Sequence, residues 1–331
     1  MAGRRRKKSG GRSYAWRYRG RIVACVFVEV IIICALVIMI GWNKGVKEWF
    51  EQFEQPVLKE VDISGINSPN AILMQARGGK ILGEINGEAQ IYPASMTKIM
   101  TVILGIENFD DLDEKITLTN EMFSGLYEQD ATQAGFQPGE EVRVIDLLYG
   151  AMLPSGAECC IALADTISGS EADFAELMNK KARKLGMENT HFCDSTGLHN
   201  PDHYSTVKDI AVLMKYCIKN DTFREIVETS RHSTGVTNIH PDGITYYSTM
   251  FKNLSDPTVT GGKILGGKTG YTSEAGHCLV SFAEIEGREY IFVSAGASGA
   301  DGNTIPHIQD AVTVYNRVGA EIEEKMNNNN K

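Results

Sequence analysis

A serine stands three residues ahead of a lysine at the head of an apolar run, in "ASMTKIMTVILG", residues 94–105. On a helix, residues three apart share a face, so the Ser95 hydroxyl and the Lys98 amine can touch. A serine hydroxyl is a poor nucleophile until a base takes its proton. Lysine is costly to bury among apolar side chains, and the same desolvation, helped by a neighbouring cation, lowers its pKa until it can act as that base. Ser95 also falls in the first helical turn, where free backbone N–H groups and the helix dipole favour an anion. The chemistry that suits this pair is nucleophilic catalysis by a lysine-activated serine.

The S-x-x-K pattern alone decides little, since about one copy is expected by chance in a chain of this size. A second copy, Ser205-Thr206-Val207-Lys208, is present. There Ser205 reads as a helix N-cap and Lys208 as a solvated first-turn residue. The first copy has company. "LGGKTGYTSEAG" contains Lys268-Thr269-Gly270, a triplet expected by chance roughly 0.1 times per chain, just ahead of the strand-like "HCLVSFAEI". "LPSGAE" sets Ser155 on a turn between two helical runs. S-x-x-K, a middle serine element and K-T-G together form a penicillin-recognising set.

With these motifs the chain resembles the serine-type D-alanyl-D-alanine carboxypeptidases, the low-molecular-mass penicillin-binding proteins, over about residues 70–300. "YPASMTKIMT", "LLYGAMLPSGAE", "STGLHNPDHYST" and "GGKTGYTSEAGHCLV" follow in that family's order at similar separations. The resemblance implies Ser95 as acyl-accepting nucleophile, Lys98 as its base and Ser155 as proton relay to the leaving group. It implies Lys268, Thr269, Gly270 and Tyr271 as substrate-binding residues, with Lys268 and Thr269 on the terminal carboxylate. The backbone N–H groups of Ser95 and Tyr271 would form the oxyanion hole. Stem peptides ending in D-Ala-D-Ala and β-lactam antibiotics are the implied partners, with no cofactor and no metal. The implied fold is α+β, of the penicillin-binding/β-lactamase-like transpeptidase type, with an antiparallel sheet flanked by helices.

Two features depart from that pattern. Where the family has Ser-x-Asn, this chain has Ser155-Gly156-Ala157. A lost hydrogen bond costs about 1–3 kcal/mol if its partner stays unsatisfied, so an asparagine restored at Ala157 is expected to speed acylation roughly ten- to a hundredfold unless the site is packed around alanine. Only about 60 residues follow K-T-G, enough to finish a sheet and add a helix, where many relatives carry a further β-rich domain.

Positioning these residues requires a set of elements that the local pattern supplies. "AILMQA", Gly78-Gly79 and "KILGEI" read as a hairpin closed by Asn86-Gly87. Helices are expected over Ala94–Ile106, Val144–Leu153 and Glu158–Ile167, the last two broken at Pro154-Ser155-Gly156. Ser170 caps another ending near Gly186, and Thr206–Lys219 is amphipathic. "HCLVSFAEI" and "EYIFVSAGA" flank a turn at Gly287, and a last helix covers Ile305–Lys325. Strands at both ends with helices between them predict one sheet closed by distant segments and covered by helices.

The remainder of the 331 residues reads as a device for location. Nine of the 33 Lys and Arg fall in residues 1–21, which hold no acid, so the body is more acidic than the overall −9. "IVACVFVEVIIICALVIMIGW", 22–42, is long enough to cross a bilayer as a helix, with Glu29 its only charge. No small-x-small cleavage site follows Leu36, which favours an uncleaved N-terminal transmembrane helix. The positive-inside rule puts 1–21 in the cytoplasm and the rest outside the cell, and beside such a span the basic run carries little weight as a nucleic-acid site. The expected organisation is a basic segment 1–21, an anchor 22–42, a stalk 43–69, a catalytic domain 70–325 and a disordered tail 326–331. Outside the span, Cys159, Cys160, Cys193, Cys217 and Cys278 are odd in number and lack metal-ligand spacing; the adjacent pair reads as small core residues. His199, Asp202 and His203 could ligate a metal, but a proline-containing polar turn fits them better.

Two other readings stand beside the membrane-anchored peptidase. A class A-like β-lactamase uses the same elements, but no candidate for its extra deacylating glutamate motif is found. A penicillin-binding scaffold or sensor that acylates weakly is favoured by Ala157.

Overall fold

A computed structural model provides the structure, described here over residues 57–299 and 305–329. The basic segment and the expected membrane span lie outside the described residues, and among those described no helix is long and apolar enough to cross a membrane. The strands are β1 (Asn70–Gln75), β2 (Ile81–Ile85), β3 (Lys115–Thr117), β4 (Glu141–Arg143), β5 (Arg231–Ser233), β6 (Thr245–Tyr247), β7 (Thr258–Val259), β8 (Gly262–Thr272), β9 (Gly276–Ile285) and β10 (Arg288–Ala297). The helices are α1 (Lys98–Asn108), α2 (Val144–Met152), α3 (Ala157–Ser168), α4 (Glu171–Leu185), α5 (Val207–Cys217), α6 (Asp221–Glu228), α7 (Thr249–Asn253) and α8 (Pro306–Asn329).

The main sheet is antiparallel, in the order β2-β1-β10-β9-β8-β7. Its central strands β1, β10 and β9 are buried on both faces, and alternation sorts their side chains between two cores. Ile72, Met74, Val280, Phe282, Ile291 and Val293 face the helical layer built around α1. Ala71, Leu73, Leu279, Ala283, Tyr290 and Phe292 face the other side. There α8 lays a helical stripe of Ile308, Ala311, Val314, Tyr315, Val318 and Ile322. The helix α1 is buried from Lys98 through Gly105, which explains why its sequence is apolar on every side.

The local signals operate largely as expected. Ser170 caps α4 by accepting from the Asp173 amide, and Gly186 ends it in the left-handed region. The β9–β10 hairpin turns through Glu286 and Gly287, both at positive φ. Four expectations need correction. The cap of α5 is Thr206, which accepts from the Asp209 amide at 3.0 Å, whereas Ser205 is buried and its hydroxyl meets Thr190 Oγ1 at 2.8 Å. Lys208 is paired with Glu88 rather than simply solvated. Residues 57–69, assigned by sequence to a stalk, belong to the folded unit: Leu58, Val61 and Ile63 are core, and Asp310 of α8 accepts from the amides and side chains of both Asn67 and Ser68. At the other end, residues 326–329 of the expected tail continue α8.

Candidate active site

Ser95 is carried by a 3-10 turn, Ala94–Thr97, that leads into α1. Residues three apart eclipse in such a turn, so Lys98 rises directly over Ser95. Its Nζ lies 3.0 Å from Ser95 Oγ and donates to the Thr196 carbonyl at 2.7 Å. Lys98 is 3% exposed. Burial drives its pKa down, against the pull of nearby Cys160, Asp194 and Glu158.

Lys268 reaches the same site from the centre of β8, 1% exposed. Its Nζ donates to Ser155 Oγ at 3.0 Å and to the Thr269 carbonyl at 2.8 Å. Burial pushes its pKa well below the ordinary value, and the charge of Lys98 pushes the same way. Two ammonium groups in one desolvated site oppose each other, so a charge on Lys268 favours neutral Lys98. Ser155 sits between α2 and α3 at φ 73, a left-handed conformation that a non-glycine residue rarely adopts, and this strain aims its hydroxyl at Lys268. Thr269 Oγ1 lies 2.7 Å from Thr249 Oγ1 at the start of α7.

Gly270 is required by a close approach. A Cβ there would fall 2.9 Å from the Ser95 nitrogen, so β8 runs alongside the Ser95 amide only because residue 270 has no side chain. Tyr271 is 61% exposed and packs its ring on His277 of β9 at 4.6 Å. Ser95, Ser155, Thr269, Gly270 and Tyr271 line a cavity of about 620 Å³. Gln129, Asp130 and Thr132 line it as well, as do His277, Ile305 and His307. The structure therefore brings together Ser95, Lys98, Ser155, Lys268, Thr269, Gly270 and Tyr271, from segments up to 176 positions apart. It adds two oxygens to which the sequence assigned no role, the Thr196 carbonyl on Lys98 and the Thr249 hydroxyl on Thr269. The five cysteines among the described residues are free, four of them buried, and no group of three or more potential metal ligands is found among those residues.

The sequence profile of the D-alanyl-D-alanine carboxypeptidases, peptidase family S11, matches residues 57–299. The chain belongs to this family. It is similar to the D-alanyl-D-alanine carboxypeptidase DacF of Bacillus subtilis (strain 168), 35% identical over 231 residues, which are 69% of this chain and 57% of DacF. It is 33% identical to DacC of Escherichia coli (strain K12) over 262 residues, covering 72% of this chain and 58% of DacC. The chain thus spans a little over half the length of these relatives. The solved Streptomyces K15 DD-transpeptidase superposes with a TM-score of 0.69 at 28% identity, covering 81% of this chain and 99% of that one. The fold is that of the penicillin-binding DD-peptidases.

In this member of the S11 family Ala157 is 1% exposed, at the first position of α3, and its amide donates to the Thr132 carbonyl at 2.8 Å. Ser155 lines the cavity and Ala157 does not. Glu158, fully buried, clamps the same wall: Oε1 accepts from the Ala134 and Gly135 amides at 2.6 and 2.9 Å, while Oε2 has no partner. Burial raises its carboxyl pKa, with those backbone bonds opposing. The Ser155 turn is therefore built against residues 132–135.

Proposed function

We propose that the protein removes the terminal D-alanine from peptidoglycan stem peptides through an acyl-enzyme on Ser95. The observation that carries this reading is the 3.0 Å contact between Ser95 Oγ and a lysine almost wholly removed from water. The terminal carboxylate binds Lys268 and Thr269, with Thr249 fixing the Thr269 hydroxyl. The carboxylate keeps Lys268 charged, and that charge holds Lys98 neutral. Lys98 takes the Ser95 proton as Oγ attacks the carbonyl carbon of the penultimate D-alanine. The oxyanion forms against the Ser95 and Tyr271 amides. The proton passes by way of Lys98 and Ser155 to the leaving D-alanine nitrogen as the peptide bond breaks. A water, deprotonated in turn by Lys98, adds to the ester and frees Ser95. A β-lactam opens on Ser95 by the same attack, and its tethered leaving group stays in the site.

The test is labelling by fluorescent penicillin together with release of D-alanine from a D-Ala-D-Ala peptide. Wild type should do both, and Ser95→Ala should do neither while keeping its thermal transition. Label persisting on Ser95→Ala, or moving to Ser205, would reject the assignment. A wild-type protein that is labelled but releases no D-alanine would favour the second reading, a penicillin-binding scaffold, to which the buried Ala157 lends support.

The apolar run 22–42 behind nine basic residues supports a single-pass anchor in the cell membrane with the catalytic domain outside. Protease added to wall-stripped cells should digest the folded unit. Full protection of that unit, or its release into the medium, would overturn this placement.

A further inference from the structure

Beneath the Ser95–Lys98 pair lies a chain of buried polar groups that the proposed reaction does not use. Asp194 Oδ1 accepts from the Thr196 amide at 2.8 Å, the Thr196 hydroxyl at 2.8 Å and the Gly197 amide at 2.6 Å. Its Oδ2 lies 3.1 Å from His203 Nδ1. On the other side of the ring, His203 Nε2 lies 2.9 Å from Thr97 Oγ1. His203 and Thr97 are 2% and 0% exposed. The Cys193 amide also approaches Nδ1, at 3.2 Å. A carboxylate is the stronger claimant, and it selects a ring with the proton on Nδ1.

The two ends of this chain are the two halves of the reacting pair. Thr97 lies in the turn between Ser95 and Lys98. Asp194 folds the loop whose Thr196 carbonyl accepts a hydrogen bond from Lys98 Nζ at 2.7 Å. The loop is pressed close: a Cβ on Gly197 would fall 1.9 Å from the Ala94 carbonyl oxygen. A neutral amine has one lone pair, and it can accept from Ser95 only when its N–H bonds are directed elsewhere. We infer that Asp194, His203 and Thr97 are positioning residues that hold the Thr196 carbonyl and the Ser95 turn in one fixed relation, so that the Lys98 lone pair points at the Ser95 hydroxyl. The inference rests on the reading of Ser95 and Lys98 as nucleophile and base.

The chain also places an anion near the base. Burial favours neutral Asp194, but its hydrogen bond with His203, then those with Thr196 and Gly197, hold its carboxyl at about 2. The titratable groups around Lys98 are Glu158, Cys159 and Cys160 on α3, Asp194 in the loop and Lys268 on β8. Removing the Asp194 charge alone should let Lys98 lose its proton at lower pH. Asp194→Asn keeps the shape and an oxygen for the loop amides.

The experiment is the second-order rate of labelling by fluorescent penicillin, against pH, for wild type, Asp194→Asn, Thr97→Val and Thr97→Ser. The acid limb of Asp194→Asn should move to lower pH by roughly half a unit to one unit. Thr97→Val should slow labelling roughly tenfold at every pH, and Thr97→Ser should restore it to within about twofold. A merely structural role scales the rate without moving the limb. An unmoved limb in folded Asp194→Asn, or Thr97→Val labelled as fast as Thr97→Ser, overturns the inference while leaving the nucleophile in place. If Asp194→Asn fails to fold, the Thr97 pair decides. Wild type that takes no label overturns the proposed function and this inference with it.

Discussion

At the scale of the residue, Ala157 makes the sharpest prediction. A family asparagine is absent there, and restoring it has the appeal of a missing hydrogen bond. The structure opposes the repair, because Ala157 is buried and its neighbour Gly156 is already crowded, an added Cβ there meeting Ala134 at 2.7 Å and Glu158 at 2.9 Å. Adding volume to such a site typically costs about 1–3 kcal/mol. Ala157→Asn is therefore expected to lower both the acylation rate and the melting temperature, by single-turnover labelling and calorimetry. An increase in rate at unchanged stability would show that the wall over α3 yields easily. The reacting groups themselves were legible in the sequence, because Ser95, Lys98, Ser155 and Lys268 each sit in a short motif whose spacing encodes contact. His203 was not. In sequence it belongs to a polar turn with Pro201 and Asp202, and nothing local says that its ring is buried against Thr97, 106 positions away.

The element that limits the site is β8. It must pass close enough to the 3-10 turn for its backbone to share an oxyanion with Ser95, and Gly270 makes room for this. Gly270→Ala is expected to cut the acylation rate by about a hundredfold, since a shift of about 1 Å at a reacting centre costs that much. Stability should change far less, because the clash is relieved by moving the two segments apart. Rates of penicillin labelling set beside urea unfolding curves test the separation; equal losses in both would mean that β8 is held rigidly and the whole sheet is strained. Long elements announce themselves, α4 by its periodicity and caps, and α1, β9 and β10 by sustained apolar runs. The strands β3 to β7 do not: each is two or three residues long, too short for alternation to emerge, and each exists because its partner is brought to it. The α5 cap shows the limit from another side. Ser205 and Thr206 are both capable residues, and burial of Ser205 against Thr190 decides between them.

Across the molecule as a whole, the buried end of the cavity carries a pH dependence. His307 in the first turn of α8 stacks on His277 at 5.0 Å, and its Nδ1 has no partner. Burial, reinforced by His277, lowers its pKa to about 4, with Asp310 opposing. A histidine depressed in the fold is neutral there while the unfolded chain already binds a proton. Its contribution is complete above the unfolded value near 6.5 and is lost as pH falls from there to about 4, by about 1.4 kcal/mol per unit at most. The melting temperature should fall over that window, and His307→Gln should flatten the fall; parallel curves for the two proteins would locate the acid sensitivity elsewhere. Which strands share a sheet could be anticipated only in outline, since strand order is set by pairings that span nearly the whole domain.

That strand order has a consequence in time. The strand β1 at residues 70–75 pairs locally with β2 on one edge, but its other edge finds β10 only at 288–297, and everything that bears Ser95, Ser155 and their supports lies between. A chain emerging from its N-terminus makes the nucleophile early but closes the sheet nearly last, after more than 200 residues during which one edge of β1 stays unpaired. Long-range pairing of this kind is slow to form and exposes an unsatisfied edge meanwhile. Reactivity towards penicillin is therefore a clock for folding: a nascent chain ending before β10 carries Ser95 yet should remain silent, and label should appear together with the final strand, at the moment when the two ends of the domain first meet.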